Sequence, residues 1–163
     1  MTISSEKIRI RALALFTIAA ATVALTGCSL LGGGNDATDG GEGTNTDVFT
    51  IQVGDCLNDG DVTGEVSEVK VIDCDAEHDS EAYKSIKMTD DEFPGETAVD
   101  DMAISECKSA FSAFVGIDYD DSSLDFSYYY PTESSWAQGD REILCLVVDP
   151  EGKIAGSLKG ASI

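Results

Sequence analysis

Five cysteines in 163 residues constrain this chain more than any other feature, because the count is odd and the five are not alike. Cys28 closes the run Leu25-Thr26-Gly27-Cys28, while Cys56, Cys74, Cys107 and Cys145 are spread through the remainder of the chain. Ahead of Cys28, Lys7, Arg9 and Arg11 precede an uncharged stretch of 14 residues from Ala12 to Leu25. A basic start, a short apolar middle and small residues before a cut point are the parts of a secretory leader. A membrane-spanning helix needs about 20 apolar residues, so the stretch is short for a permanent span.

The Leu-x-Gly-Cys spacing resembles the lipobox of bacterial lipoproteins, in which the thiol takes a diacylglycerol and the Cys becomes the new N-terminus. Residues 1–27 are then a signal peptide, and Cys28 is the lipidation site. The other readings of the same residues are an ordinary signal peptide with a coincidental Cys, or an uncleaved anchor. Two acyl chains suffice for stable anchoring, each buried CH₂ contributing roughly 0.8 kcal/mol. The expected location is the extracytoplasmic face of a cell membrane. That compartment is oxidising, so the four remaining cysteines read as two disulfides. Of the three possible connectivities, Cys56–Cys74 with Cys107–Cys145 is favoured, because each bridge closes a local unit without crossing the other. The metal alternative is zinc on Cys74, His78 and two further thiolates, but the chain has no C-x₂-C pair to start such a site.

Charge narrows the partners. The formal net charge is −21. Removing residues 1–27 takes away Lys7, Arg9, Arg11 and Glu6, three cations and one anion, which leaves −23. Nucleic acid needs a basic face and is excluded. A peripheral hold on anionic lipid is excluded for the same reason, so the acyl chains must do the anchoring.

Residues 28–47 read as the lipidated Cys and a flexible linker, rich in Gly, Asp, Asn and Thr. Such a stretch buries too little apolar surface to offset its ordering entropy. By random-chain scaling it holds the following domain on the order of 25 Å from the lipid. Residues 48–163 are 116 residues, enough for one small domain. Strands are expected over 48–53, 65–72, 82–88, 124–130 and 141–148, the last a central one, with 154–158 returning as its hairpin partner after the Asp149-Pro150-Glu151-Gly152 turn. Residues 75–80 read as a polar loop, and 132–138 as a short helical turn. Val99, Met102, Ala103, Cys107, Ala110, Phe111 and Phe114 form the stripe of one amphipathic helix, ended by Gly116. Thr97 and Asp100 resemble a capping box at its start. The fold class is α+β: a single disulfide-braced domain, an antiparallel-rich sheet with one main helix packed on it.

The chemistry-bearing residues form two groups. His78, the only histidine, sits among Asp75, Glu77, Asp79 and Glu81, which favour its protonation. It serves either as a general base or carboxylate-assisted metal ligand, or as a packed residue that fixes its loop through hydrogen bonds. Trp136-Ala137-Gln138-Gly139-Asp140-Arg141 is either a core turn, with Gly139 left-handed and Asp140 capping or pairing with Arg141, or an aromatic ledge of Trp136 with Tyr128, Tyr129 and Tyr130 for a glycan or peptide. Three consecutive tyrosines on a strand cannot all point inward. The acidic turns 58–61 and 118–121 do not match a calcium loop. No Gly-x-Ser-x-Gly, Ser-x-x-Lys or His-Glu-x-x-His occurs. No cofactor is called for: Gly32-Gly33-Gly34 lies in the linker, without the strand and helix of a phosphate loop.

Gly54-Asp55-Cys56-Leu57, Val71-Ile72-Asp73-Cys74 followed by His78-Asp79 and Glu81, then Cys107, Pro131, Trp136 and Gly139-Asp140-Arg141 before Cys145 form an ordered set. In that order and spacing the chain resembles the septum formation domain of actinobacterial envelope proteins, over Gly54 to Ser157. It departs at Glu77, where a Pro before the His is expected. The resemblance implies a secreted or membrane-tethered protein linked to cell division, and supplies no catalytic residue. The candidate functional surface is therefore His78, Glu81, Trp136, Asp140 and Arg141. The expected function is a non-enzymatic binding module for an envelope or division protein or a wall component. The alternatives are a wall-directed hydrolase using His78 with a nearby carboxylate, and a carrier of a small ligand or cation.

Overall fold

The computed structural model describes residues 43–163. The leader, Cys28 and residues 29–42 of the expected linker lie outside the described residues. The elements run β1 (Thr44–Asp47), β2 (Cys56–Asn58), β3 (Glu68–Ile72), β4 (Glu77–His78), β5 (Ser80–Lys87), α1 (Glu96–Val115), β6 (Asp125–Tyr129), α2 (Glu133–Trp136), β7 (Glu142–Val148) and β8 (Ile154–Ala155). Six strands form an antiparallel sheet in the order β1-β3-β2-β5-β7-β6, and β4 pairs with β8 in a separate ribbon. One main helix on an antiparallel sheet is the α+β arrangement expected.

β7 explains why the sheet needs covering on both sides. Its Ile143, Cys145 and Val147 join the core beneath α1, whereas Leu144 and Leu146 join a second cluster on the opposite face. A strand buried on both faces loses the polar–apolar alternation, hence the near-continuous run Ile-Leu-Cys-Leu-Val-Val. α1 meets the first face with Val99, Ala103, Cys107, Phe111 and Val115, five residues at successive four-residue steps. Met102, expected on the stripe, is exposed, as is Ile104. Gly116 ends the helix in the left-handed conformation, φ 97°, and its N–H reaches the Ser112 carbonyl. The Thr97–Asp100 capping box does not form, because the helix begins two residues earlier than that box requires, at Glu96, and Gly95 occupies the N-cap. A capping box is found instead on α2, between Thr132 and Ser135.

The second face is closed by loop rather than strand. Val48–Thr50 is a 3₁₀ turn, started by the Asp47 carboxylate accepting from the Phe49 N–H at 3.0 Å. It drops Ile51 into a cluster with Leu57, Val69, Ala82, Leu144 and Leu146. Residues 48–53 are therefore not the expected strand, and the pairing lies upstream. Thr44–Asp47, in the stretch read as linker, pairs with Glu68–Val71. Alternating threonines suit an edge strand even where the composition is polar.

Two disulfides brace the domain, one between helix and sheet and one within the sheet. Cys107–Cys145 joins α1 to β7, with Cα atoms 5.5 Å apart, and Cys56–Cys74 joins β2 to the turn after β3, at 5.2 Å. A register shift in β5 between Ala82 and Lys84 turns Tyr83 under the helix, where its hydroxyl donates to the Cys107 carbonyl at 2.7 Å. The C-terminal segment does not run back along β7. β8 crosses to β4, the Gly156 N–H donates to the Cys74 carbonyl, and the N–H groups of Gly160 and Ser162 reach the carbonyls of Phe114 and Val115. These last two satisfy carbonyls that a helix C-terminus leaves open.

Candidate functional site

His78 lies on β4 opposite Ile154 and is fully buried. Residues 77–78 are thus a strand within the stretch read as a polar loop. The Nδ1 atom lies 2.9 Å from the Ala76 carbonyl and donates to it, while Nε2 is buried without a partner among the described residues. Of the acidic neighbours in sequence, none comes within ion-pair distance of this ring. The reason is alternation: a strand sends His78 inward and its neighbours Glu77 and Asp79 outward.

Glu81 is the second buried group, 2 % exposed. One carboxylate oxygen accepts from the Ser157 hydroxyl and the other from the Leu158 N–H, both at 2.7 Å. Its function is to hold the C-terminal segment over the end of the sheet. Between these two, Asp79 bonds the Gly60 N–H at 3.0 Å and the Lys153 ammonium at 3.0 Å. Burial pushes the Asp79 carboxyl up, but Gly60 and Lys153 outweigh it and hold it below the ordinary value of 3.8. Asp59 accepts from the Ser80 hydroxyl at 2.8 Å and the Tyr129 hydroxyl at 2.7 Å. The acidic turn at 58–61 is therefore held by the protein itself. Burial and the Asp59 charge together raise the Tyr129 phenol well above its usual range.

Among the described residues, Cys56, Cys74 and Glu81 bring three metal-ligand atoms within 4.8 Å of one another. The two sulfurs are bonded to each other, and the carboxylate is engaged by Ser157 and Leu158. The zinc set considered from the sequence thus has its Cys74 in a disulfide and its His78 on a backbone carbonyl.

The Trp136–Arg141 turn is a second, separate unit. Trp136 is 5 % exposed and meets Phe93 edge to face at 5.6 Å. The Arg141 guanidinium stacks on the indole at 3.8 Å and donates to the carbonyls of Trp136 and Asp140 at 2.8 and 2.6 Å. Asp140 accepts from the Ser135 hydroxyl at 2.8 Å and the Glu142 N–H at 3.0 Å. Gly139, at φ 101°, supplies the left-handed step that brings Arg141 back over the ring. Trp136 and Arg141 therefore close the core, and Asp140 caps the turn.

Tyr128 and Tyr130 of the expected ledge do lie in one row of rings, joined by Phe126 and Tyr119 instead of Trp136 and Tyr129, and Tyr119, Phe126 and Tyr128 are half-buried against the core under α1. Tyr129 faces the second core cluster. Phe126, Tyr128 and Tyr130 share the other face of the β6 segment and continue from Tyr119, with successive ring centroids 5.1, 6.4 and 5.9 Å apart. The Tyr119 hydroxyl donates to Asp125 at 2.8 Å and the Tyr128 hydroxyl to Asp100 at 2.6 Å. The hydrogen bond to Asp125, then burial, raise the Tyr119 phenol; burial, then Asp100, raise that of Tyr128. Sequence reasoning missed Phe126 and Tyr119. The period-two spacing of Phe126, Tyr128 and Tyr130 was the available signal for the first, whereas Tyr119 arrives through tertiary folding. A groove of about 390 Å³ between β5 and α1 is lined by Tyr83, Lys84, Glu106, Ser109, Ala110 and Phe114.

A family model described as septum formation matches residues 53–161, which spans both motif groups and all four disulfide cysteines. No curated protein and no solved structure matches the chain.

Proposed function

The chain belongs to the septum formation family, which gives it a cell-division-related role, and on that premise we propose that it is a lipid-anchored extracytoplasmic binding module. In this reading Cys28 carries the lipid, residues 29–43 space the domain from the membrane, and the domain recognises an envelope or division component. One observation carries the binding reading over the hydrolase. The family residues with acid–base chemistry are spent on the fold: His78 is sealed and bonded to Ala76, and Glu81 is bonded through both oxygens to the C-terminal segment. A general base must come within hydrogen-bond reach of its substrate, and neither group has an open side.

The test uses cells whose only copy carries His78→Phe, together with purified full chain incubated with wall fragments. The expected result is normal septa wherever the variant folds, and no released product from the wild-type chain. Product release by the wild type that His78→Phe abolishes, with the fold intact, overturns the binding reading. Cys28→Ala tests the anchor: the chain is expected to leave the membrane fraction, and retention there overturns the lipid.

A further inference from the structure

β6 ends the six-stranded sheet, so one of its two edges pairs with β7 and the other is open. Exposed strand edges are templates for another chain, and proteins usually blunt them. Here the blunting is partial. The Phe126 N–H is taken by its own neighbour, Asp125 Oδ1, at 2.8 Å rather than by β7. Bonds alternate along an antiparallel pair, so Phe126 and Tyr128 direct their main-chain groups to the open side, and among the described residues those of Tyr128 have no such side-chain cover. Beside this edge runs the ladder of Tyr119, Phe126 and Tyr128, each half-buried with one side against the α1 core, and Tyr130, 40 % exposed.

Carboxylates predominate around the ladder. Asp100, Asp120 and Asp125 border it, in a chain of net charge −21. A cation already sits at its start: Lys108 Nζ lies 4.9 Å from the Tyr119 ring centroid and 2.6 Å from Asp120. The fold thus exhibits, within itself, the pairing that this surface favours: an ammonium over a tyrosine face with a carboxylate alongside. A second copy pairing edge to edge would bring the same aspartates together, which opposes it.

We propose that β6 is a docking strand: an extended, lysine- or arginine-bearing polypeptide segment adds to its open edge and lays its cationic side chains along the Phe126–Tyr128–Tyr130 ladder. Main-chain bonds supply affinity, and alternate side chains supply selectivity. This rests on the binding-module reading above and names the partner's chemistry.

The experiment uses the full chain, produced with its own leader and purified in detergent. The probes are a fluorescent peptide alternating Lys or Arg with Val or Thr, its counterpart with Glu at every cationic position, and an N-acetylglucosamine oligomer. The basic peptide is expected to bind, to weaken steeply as salt rises, and to slow amide exchange at Tyr128. Tyr128→Pro blocks that N–H while leaving the β7 side paired, since an edge strand tolerates Pro where its N–H faces out, and should abolish binding. Tyr130→Ser, at an exposed position, should weaken binding about two- to fivefold without shifting the melting temperature, as loss of one exposed cation–π contact implies. Equal binding of the Glu peptide, binding of the basic peptide with no change at β6, preference for the sugar oligomer, or protection of β6 by self-association each overturns the proposal. Failure with septa intact in cells carrying Tyr128→Pro removes this surface alone. A chain that turns over wall material removes the reading beneath it.

Discussion

Removing the two disulfides one at a time should cost unequal amounts, and the structure orders them. Cys107–Cys145 spans 38 residues and Cys56–Cys74 spans 18. Loop-closure entropy in the unfolded chain then gives about 3.9 kcal/mol for the first and about 3.2 kcal/mol for the second. Packing widens the gap. Cys107 and Cys145 are fully buried in the core between α1 and β7, so double replacement by Ala leaves a void there. Cys74 is partly exposed and loses less. Against a net stability of roughly 5–15 kcal/mol for a domain of this kind, the Cys107–Cys145 loss leaves little margin. The assay is urea unfolding of the full chain and of the two double-Ala variants. With a slope of about 2 kcal/mol per molar, the Cys107–Cys145 variant should unfold about 2 M urea earlier than the parent, and the Cys56–Cys74 variant somewhat less. Equal midpoints for the two variants, or a larger loss for Cys56–Cys74, would refute the assignment of the inner bridge as the main brace.

Other outcomes rest on named contacts. Glu81→Leu should destabilise by about 1–3 kcal/mol by leaving the buried Leu158 N–H without an acceptor, read by thermal melting, and Glu81→Gln should recover part of it. Arg141→Lys loses the flat stack on Trp136 and should cost about 1 kcal/mol with altered tryptophan fluorescence; an unchanged spectrum would mean the stack is absent in solution. The Asp79 carboxyl titrates below its ordinary value, so its contribution is present above pH 3.8 and is lost as pH falls through the lower folded value. Lys153→Met should move the Asp79 midpoint upward by NMR titration, and an unmoved midpoint would exclude the ion pair.

Much of this architecture was legible before folding, and the exceptions share a cause. α1 and β7 are long and strongly periodic or strongly apolar, and their burial follows directly. The misread segments are short ones whose partners are remote. Cys56–Asn58, where no strand was expected, is a strand because β3 and β5 flank it. Thr44–Asp47 pairs although its composition is polar, and Val48–Thr50 curls although its residues favour strands, because Ile51 is needed over the second face. Ile154 and Ala155 leave β7 for β4 because Cys74 and Glu81 offer bonds to the residues that come after them. The same distance effect hid the roles of the flagged side chains. A lone His among acids reads as either chemistry or packing, and strand alternation decides for packing. The Gly-Asp-Arg turn reads as either a core turn or a surface, and Arg141 lying on Trp136 decides for the core.

Under the proposed binding reading, the residues by which this chain resembles its family build the scaffold and perform no chemistry. The direct measurement pairs melting temperature with septum formation in cells for substitutions at His78, Glu81, Trp136 and Arg141. The account predicts that every variant still folded at the growth temperature supports normal septa, and that failure tracks unfolding. A single variant with parental stability and no septa would contradict it.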